Sequence, residues 1–412
     1  MIAIHLLLAS ASVLRGARAD SLSLHTGEAL VNNIVVPKEI SNFAKDGASA
    51  QWASGYPKEW GSENYHYQFN EPDPEDSFSA GITPDEKYLA MNNGTHITFI
   101  NLEKNTTAST LALVMPKKIL ALSLTLRHAP QGGYDVFASG SNGGKNGITT
   151  ATVRIRVSSN LTAIGNFSTY QGGIGAISKQ GRLASLSGYI YDMEGTDTPI
   201  ATLTDRPDLT DLSFSPDGIH LASVSWRART ADLWNATSGQ KIYQFPATNA
   251  QNWVTRFSPD GRYLAIAVGS NNNTIQLYTL GNLTAPPTEM KVFNGWPRAL
   301  DWSPDSKTLA VADENRLRIF NVPSGEVIQT WEVEGVRYGP SPSGVSFLAE
   351  GKRLTWTFLY GTYLYEFETN TKWYWVPRAI DHIWGGMGFS FLSKTNVAVT
   401  HDGDSTVRFW KI

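Results

Sequence analysis

The sequence predicts an all-β chain, a β-propeller of about eight four-stranded blades with seven as the alternative, closed by a strand from the N-terminal side. Three observations predict it. A Ser-Pro-Asp turn flanked by apolar strands recurs along the chain. Its copies lie 37 to 49 residues apart, close to the ~40–45 residues that a four-stranded unit occupies. The flanking residues alternate apolar and polar, as half-buried strands do.

Three copies are strong. Phe214-Ser215-Pro216-Asp217-Gly218 precedes Leu221-Ala222, and Phe257-Ser258-Pro259-Asp260-Gly261 precedes Leu264-Ala265. Trp302-Ser303-Pro304-Asp305-Ser306 precedes Leu309-Ala310. Proline presets φ for the first corner of a tight turn, and Asp and Gly suit the next positions. Each copy then reaches a strand that ends in an aromatic residue: Trp234, Tyr278 and Phe320. Weaker copies centre on Pro84, Pro130, Lys179, Ala349 and Leu392-Ser393, which makes eight turn markers.

This pattern resembles the WD40 repeat family. The copies at 207–245, 295–333 and 382–412 match best, and the last ends Thr406-Val407-Arg408-Phe409-Trp410. The Pro-Asp-Gly turn is shared with TolB-type propellers, but the Trp-ending third strands favour WD40. The resemblance implies an Asp before each third strand that locks the blade. That place holds Asp404 and Glu314 in two units, but Asn272 and Ala228 in two others. The Gly-His pair of many family repeats is absent. The chain stops at the third strand of the last unit. The resemblance implies that an N-terminal strand completes it, and Tyr65–Phe69 alternates correctly for that role.

The domain reading follows: 1–19 a signal peptide, 20–64 an N-terminal extension packed as loops or a short helix, 65–412 the propeller. Ile2 to Leu14 is nearly all apolar or small and is followed by Ala17-Arg18-Ala19, a pattern a signal peptidase accepts. The run is too short to span a bilayer comfortably. The expected location is extracellular, with the lumen of the secretory pathway or a vacuole as the alternative. The chain has no cysteine, hence no disulfide or thiolate chemistry. Its net charge is −3, and nucleic acid needs a basic face. The expectation is a monomer with no nucleic-acid partner, no membrane span and no cofactor.

No catalytic or metal-binding constellation rises above background. The eight His residues are scattered. Gly140–Lys145 lacks the spacing of a phosphate loop, and Asp73, Glu75 and Asp76 read as a solvated turn. The aromatic run Trp356, Phe358, Tyr360, Tyr363, Tyr365, Phe367, Trp373 and Trp375 reads as core between blades.

A partner surface is more legible. In such rings the segment entering each first strand and the loop between second and third strands open on one face. Trp296 and Trp384 stand eight residues before their turn markers, and Trp253 stands six before its own. Trp226 and Arg227 fall in a second-to-third-strand loop, and Arg298 and Arg337 in entry segments. Trp and Arg are the types most enriched among interface hot spots. Seven Asn-x-Ser/Thr sequons occur, at Asn93, Asn105, Asn160, Asn166, Asn235, Asn272 and Asn282. Asn105, Asn160, Asn235 and Asn282 fall between third and fourth strands, on the opposite face. The expected function is a secreted, non-enzymatic scaffold for a protein or glycan, with a glycan-covered face and a binding face. A propeller hydrolase or lactonase with a channel site is the alternative.

Overall fold

The computed structural model describes residues 51–52, 62–68 and 79–411, apart from 117–118, 143–149, 166, 205–207, 270–272, 292, 294, 314–315, 333–343, 359–360, 370, 376–387 and 403–405. These residues form eight sheets, seven of four antiparallel strands and one of five in which the fifth strand is parallel. The chain is an all-β, eight-bladed propeller.

Blade one is Ser79–Ile82, Tyr88–Asn92, His96–Asn101 and Thr106–Ala112. Blade two runs from Leu120–His128 to Ser168–Gln171, and blade three from Ile174–Ile177 to Ala201–Thr202. Blade four is Asp211–Phe214, His220–Val224, Ala231–Asn235 and Lys241–Gln244. Blade five is Asn252–Phe257, Tyr263–Val268, Thr274–Thr279 and Thr288–Met290. Blade six is Ala299–Trp302, Thr308–Ala312, Arg316–Asn321 and Val327–Glu332. Blade seven runs from Gly344–Leu348 to Thr371–Trp375. Blade eight is Gly388–Leu392, Val397–Asp402 and Thr406–Lys411, with Ser62–Gln68 as its outer strand.

All eight turn markers fall between a first and a second strand. The turn chemistry explains why the motif recurs. In blade four the Ser215 hydroxyl donates to Asp217 Oδ1 at 2.5 Å and accepts the His220 N–H at 2.9 Å. Blades five and six repeat this with Ser258 and Asp260 at 2.6 Å and Ser303 and Asp305 at 2.7 Å. Gly218 and Gly261 follow at φ +71°, a region open to glycine without a Cβ penalty. Ser306 and Glu86 occupy the same turn position at φ +61° and +60°. Both side chains reach the preceding blade. Ser306 Oγ accepts the Asp260 N–H at 3.1 Å. Glu86 accepts the Ser393 hydroxyl at 2.6 Å, its N–H at 2.9 Å and the Lys394 N–H at 3.0 Å, across the seam between blades eight and one.

The Leu-Ala pair after the turn is the core rule of the ring. Adjacent strand residues face opposite sides of a sheet. In blade five Leu264 and Ile266 face blade four, while Ala265 and Ala267 face blade six. Leu183 and Ala184 of blade three, and Leu221 and Ala222 of blade four, divide the same way. A large residue thus points back and a small one forward, where it meets the neighbour's Leu and aromatic side chains.

Closure differs slightly from the expectation. The closing strand is Ser62–Gln68, starting three residues before Tyr65, and it pairs with Thr406–Lys411. Gln51–Trp52 adds a parallel fifth strand to the outer edge of blade seven, where loops or a helix were expected. The open edge of Thr371–Trp375 offers unpaired backbone groups, and a short extended segment satisfies some of them. The segment 1–19 lies outside the described residues. No helix among the described residues is long and apolar enough to cross a membrane.

Antiparallel order sorts the connections between the two ends of the ring. First-to-second turns and third-to-fourth loops share one end. Second-to-third loops and the entries to first strands share the other.

The turn carboxylates set an acid limit. The Ser215 hydroxyl lowers the pKa of Asp217, and the Ser303 hydroxyl that of Asp305. Burial raises Asp85, but hydrogen bonds led by the Tyr134 hydroxyl, 2.8 Å away on blade two, outweigh it and hold Asp85 at about 2. A carboxyl depressed in the folded chain contributes its full stability above its unfolded value of ~4 and loses it as pH falls through the folded value. The melting temperature is therefore expected to drop between pH ~4 and ~2, and to drop less in Asp85→Asn. Thermal scans across that range decide it, and equal slopes in both proteins would contradict it.

Candidate functional site

At the entry end of blades four to six, three indoles form a ladder. Trp226 belongs to the second-to-third loop of blade four, Trp253 to the first strand of blade five, and Trp296 to the entry of blade six. Trp226 and Trp253 have ring centroids 5.9 Å apart with planes 12° from parallel. Trp253 and Trp296 stand 5.5 Å apart at 24°. Trp253, the middle rung, is 6% exposed, and its neighbours are half-buried. Gly269, just past the second strand of blade five, forms the floor. A Cβ there would lie 2.8 Å from Trp253 Nε1 and 3.1 Å from Trp296 Cγ, so a side chain at this position collides with two packed rings.

Arginines cap the ladder. The Arg298 guanidinium carbon lies 4.4 Å from the Trp253 ring centroid and 4.7 Å from that of Trp296. Arg227 lies 5.6 Å from Trp226. Such contacts are worth about 0.5–2 kcal/mol each, more as water is excluded. Arg227 also pairs with Asp208 at 2.9 Å, but both are well exposed, so this pair adds little. Arg229 stands exposed beside them and points one guanidinium N–H at the Asn249 carbonyl, 3.4 Å away. Trp226 Nε1 and Trp253 Nε1 are buried without a hydrogen-bond partner. An unsatisfied buried donor costs about 1–3 kcal/mol.

Five of the seven residues expected at a partner surface, Trp226, Arg227, Trp253, Trp296 and Arg298, come together here. Trp384 and Arg337 lie outside the described residues. Trp253 was two residues out of register with Trp296. The structure resolves this, because Trp253 sits inside its strand whereas Trp296 stands before its own, and the two still meet across the blade boundary. Gly269 and Asp208 were not singled out. A glycine after a strand and an acid in an entry segment are too common in any sequence to signal a site.

The comparisons with known proteins agree with this architecture. The family model described as "WD domain, G-beta repeat" matches residues 239–279, the fourth strand of blade four through the third strand of blade five. The chain is an eight-bladed β-propeller that carries a WD40 repeat at residues 239–279. Protein transport protein SEC31 of Saccharomyces cerevisiae is 34% identical over 97 residues, covering 23% of this chain and 8% of that protein. The ciliary WD repeat-containing protein ctxp80 of Euplotoides octocarinatus is 33% identical over 110 residues, covering 24% of this chain and 15% of that protein. This chain therefore spans only a small part of the length of either relative. The crystal structure of Saccharomyces cerevisiae Sqt1 superposes with a TM-score of 0.62 at 13% identity, covering 85% of this chain and 99% of that one. At that identity the likeness is one of fold.

Two blades tie their third strand to their second through a tryptophan. Trp234 Nε1 donates to Ser223 Oγ at 2.8 Å in blade four, and Trp410 Nε1 to Thr400 Oγ1 at 2.9 Å in blade eight. Each ties a third strand to a second strand inside the core. In blade six Asp313 stands in the loop before the third strand. It is fully buried, accepts the Arg316 N–H at 2.9 Å and faces Arg318 at 3.5 Å. Glu314, Asn272 and Asp404 lie outside the described residues. Ala228 is exposed in its loop, where the Ser225 hydroxyl accepts its N–H at 3.0 Å.

The propeller's other candidates resolve as follows. Trp356, Tyr363 and Tyr365 are buried, and Trp356 stacks on Tyr363 at 4.8 Å and 6°, so they are core. Asn105, Asn160 and Asn282 lie between third and fourth strands as expected, and Asn235 is the last residue of a third strand. Asn105, Asn160 and Asn282 are exposed, and Asn235 is half-buried. Asn93 is exposed at the ladder end, in the turn before a third strand, where its Oδ1 accepts the His96 N–H at 2.9 Å. Asn166 and Asn272 lie outside the described residues.

At the hub two acids are held between blades. Asp211 accepts the Thr255 N–H at 2.9 Å and pairs with Arg256. Asp301 accepts the Phe347 N–H at 2.8 Å. Burial raises both carboxyls. Each is engaged in joining one blade to the next. Among the described residues no three His, Asp or Glu side chains gather in a way that would hold a metal ion.

Proposed function

We propose that this WD40 propeller is a non-enzymatic, monomeric interaction scaffold that binds a protein partner on the end carrying Trp226, Trp253 and Trp296. The observation that carries the reading is the ladder itself. Three indoles and three arginines are gathered at one place on the rim, and these are the side chains that dominate interface energetics. Glycan recognition on an aromatic platform needs an open ring face. Here the ring faces lie against each other and against Arg227 and Arg298, which favours a protein over a sugar.

Photo-crosslinking tests the reading. A photoreactive amino acid replaces Ala228 at the ladder end or Lys104 at the opposite end, and the chain is exposed to its native milieu. A discrete adduct is expected from position 228, and it should vanish when Arg298→Ala is added. Adducts only from position 104, or adducts indifferent to Arg298→Ala, would refute the assignment.

The same proposal places the protein outside the cell or in a secretory lumen, with glycans at Asn105, Asn160, Asn235 and Asn282. Support comes from the exposure of three of these asparagines at the end away from the ladder. Ile164, Ile200 and Ile219 are also exposed at that end, and glycan cover accommodates them. Glycopeptide mapping of secreted protein is expected to find these sites occupied. Finding all four bare would end the glycan-face reading without touching the ladder.

A further inference from the structure

The outer edges of the blades differ in how they are protected. A strand edge exposes main-chain groups that invite another strand, and natural sheets blunt it by shortness, charge or cover. In blade two the outward N–H groups of Thr169 and Gln171 are taken by Asp197 Oδ2 at 2.9 Å and the Tyr191 hydroxyl at 3.0 Å, both from blade three. The outer strand of blade three has two residues, and that of blade five has three. Lys241 stands in the outer strand of blade four and Glu332 in that of blade six. Gln51–Trp52 covers blade seven, and the outer strand of blade eight carries Glu63. Blade one shows none of these among the described residues. Its outer strand, Thr106–Ala112, is seven residues long. No charged residue occurs from Thr106 to Met115, and Glu103-Lys104 and Lys117-Lys118 bracket the run.

Register shows which groups of this strand are open. Leu113 donates its N–H to the Thr95 carbonyl at 2.7 Å, and the ladder pairs Ile97 with Leu111 and Phe99 with Ser109. Bonds between antiparallel strands engage every second residue, so Ser109, Leu111 and Leu113 bond inward. The main-chain groups of Thr110 and Ala112 therefore point away from the sheet. The side chains sort the same way. The Ser109 hydroxyl donates to the Leu161 carbonyl of blade two at 3.0 Å, and Leu111 and Leu113 join the core between blades one and two. Thr110, Ala112 and Val114 are exposed, and Val114, at 67%, is the most exposed large hydrophobic among the described residues.

We infer that the edge of blade one, at Thr110 and Ala112, takes an extended, uncharged strand of a partner protein, with an apolar side chain of that strand on Val114. Only another strand matches N–H and C=O groups set along one line. A charged strand would lose water against an edge that offers no counter-charge. Blades seven and eight already accept strands from outside their own repeats, so the ring tolerates such an addition. The Asn105 sequon lies before the start of the strand, at the end away from Val114. The edge is separate from the tryptophan ladder, and neither assignment depends on the other.

Fluorescence anisotropy with the full chain tests this. The probe is a labelled eight-residue peptide of alternating Val and Thr, N-methylated at every second residue. One of its edges keeps its N–H groups, and the blocked edge stops the peptide from stacking into fibres. The control peptide is N-methylated at every residue. The probe should bind about tenfold more tightly than the control, the scale of one or two main-chain hydrogen bonds. Ala112→Pro removes one outward N–H and no ladder bond, a change that an edge strand tolerates. It should weaken binding about as much while leaving the melting temperature unchanged. Thr110→Lys should also weaken binding, by placing a charge on the edge. Ile242→Lys, on the outer strand of blade four, should leave binding unchanged. In hydrogen exchange the amides of Thr110 and Ala112 should be fast in the free chain and slow with the probe, whereas that of Leu111 should be slow in both. Equal binding of probe and control, indifference to Ala112→Pro, or loss of binding in Ile242→Lys would overturn the inference. So would a dimer in sedimentation that Ala112→Pro dissolves, because the edge would then serve a second copy of the chain.

Discussion

Removal of Ser62–Gln68 is expected to abolish the cooperative unfolding of the ring. That strand pairs along its length with Thr406–Lys411, and nothing else covers that edge among the described residues. At a net ~1 kcal/mol per backbone hydrogen bond, the loss is several kcal/mol, comparable with the whole stability of many domains. The bared edge of blade eight then becomes a template for pairing with another chain. A chain starting after residue 68 should elute as aggregate and melt broadly. Adding a synthetic peptide of residues 62–68 should restore part of the cooperative transition. A truncated chain that stays monomeric with an unchanged melting curve would show that the seam formed by Glu86 with Ser393 and Lys394 closes the ring unaided.

The second large effect is expected at Trp234. Its side chain is fully buried, donates to Ser223 and carries Lys241 Nζ 5.0 Å from its ring. It packs against Leu212 and Leu221 of its own blade and Ile190 of blade three. Trp234→Ala should cost about 3–5 kcal/mol, the usual range for truncating a buried aromatic residue. Trp234→Phe should cost less, and much of that remainder should come from leaving the Ser223 hydroxyl unpaired. Adding Ser223→Ala to Trp234→Phe should then recover stability, although Ser223→Ala alone destabilises. Denaturant midpoints of the four proteins give the coupling directly. Strict additivity would mean that the Trp234–Ser223 hydrogen bond contributes nothing.

Both predictions concern features visible in the sequence at different depths. The turn motif is local. Ser, Asp and Gly satisfy one another within six residues, so Ser215-Pro216-Asp217-Gly218 announces its conformation without help from the rest of the chain. The Leu-Ala pair is nearly as direct, because strand period two assigns its members to opposite faces. The closing strand was legible only by subtraction, from a last unit that lacks an outer strand. Its start at Ser62, and the pairing of Gln51–Trp52 with blade seven, depend on which edge is open in three dimensions.

The sequence by itself determined the all-β ring, its eight turn markers and the end of the ring on which each loop emerges. Those follow from short-range turn chemistry and strict alternation, which leave the chain few choices. It also named most of the residues that meet at the ladder. What it could not state is that they meet. Trp226, Trp253 and Trp296 are separated by 27 and 43 residues, and their spacing to the turn markers is irregular. Contact between them depends on the rotation of each blade against the next and on the bare backbone at Gly269. The buried indole N–H groups and the seating of Arg298 on two indoles arise only when the blades are packed together. Tertiary structure therefore decided the site, because a contact between blades is a property of the ring and of no single repeat.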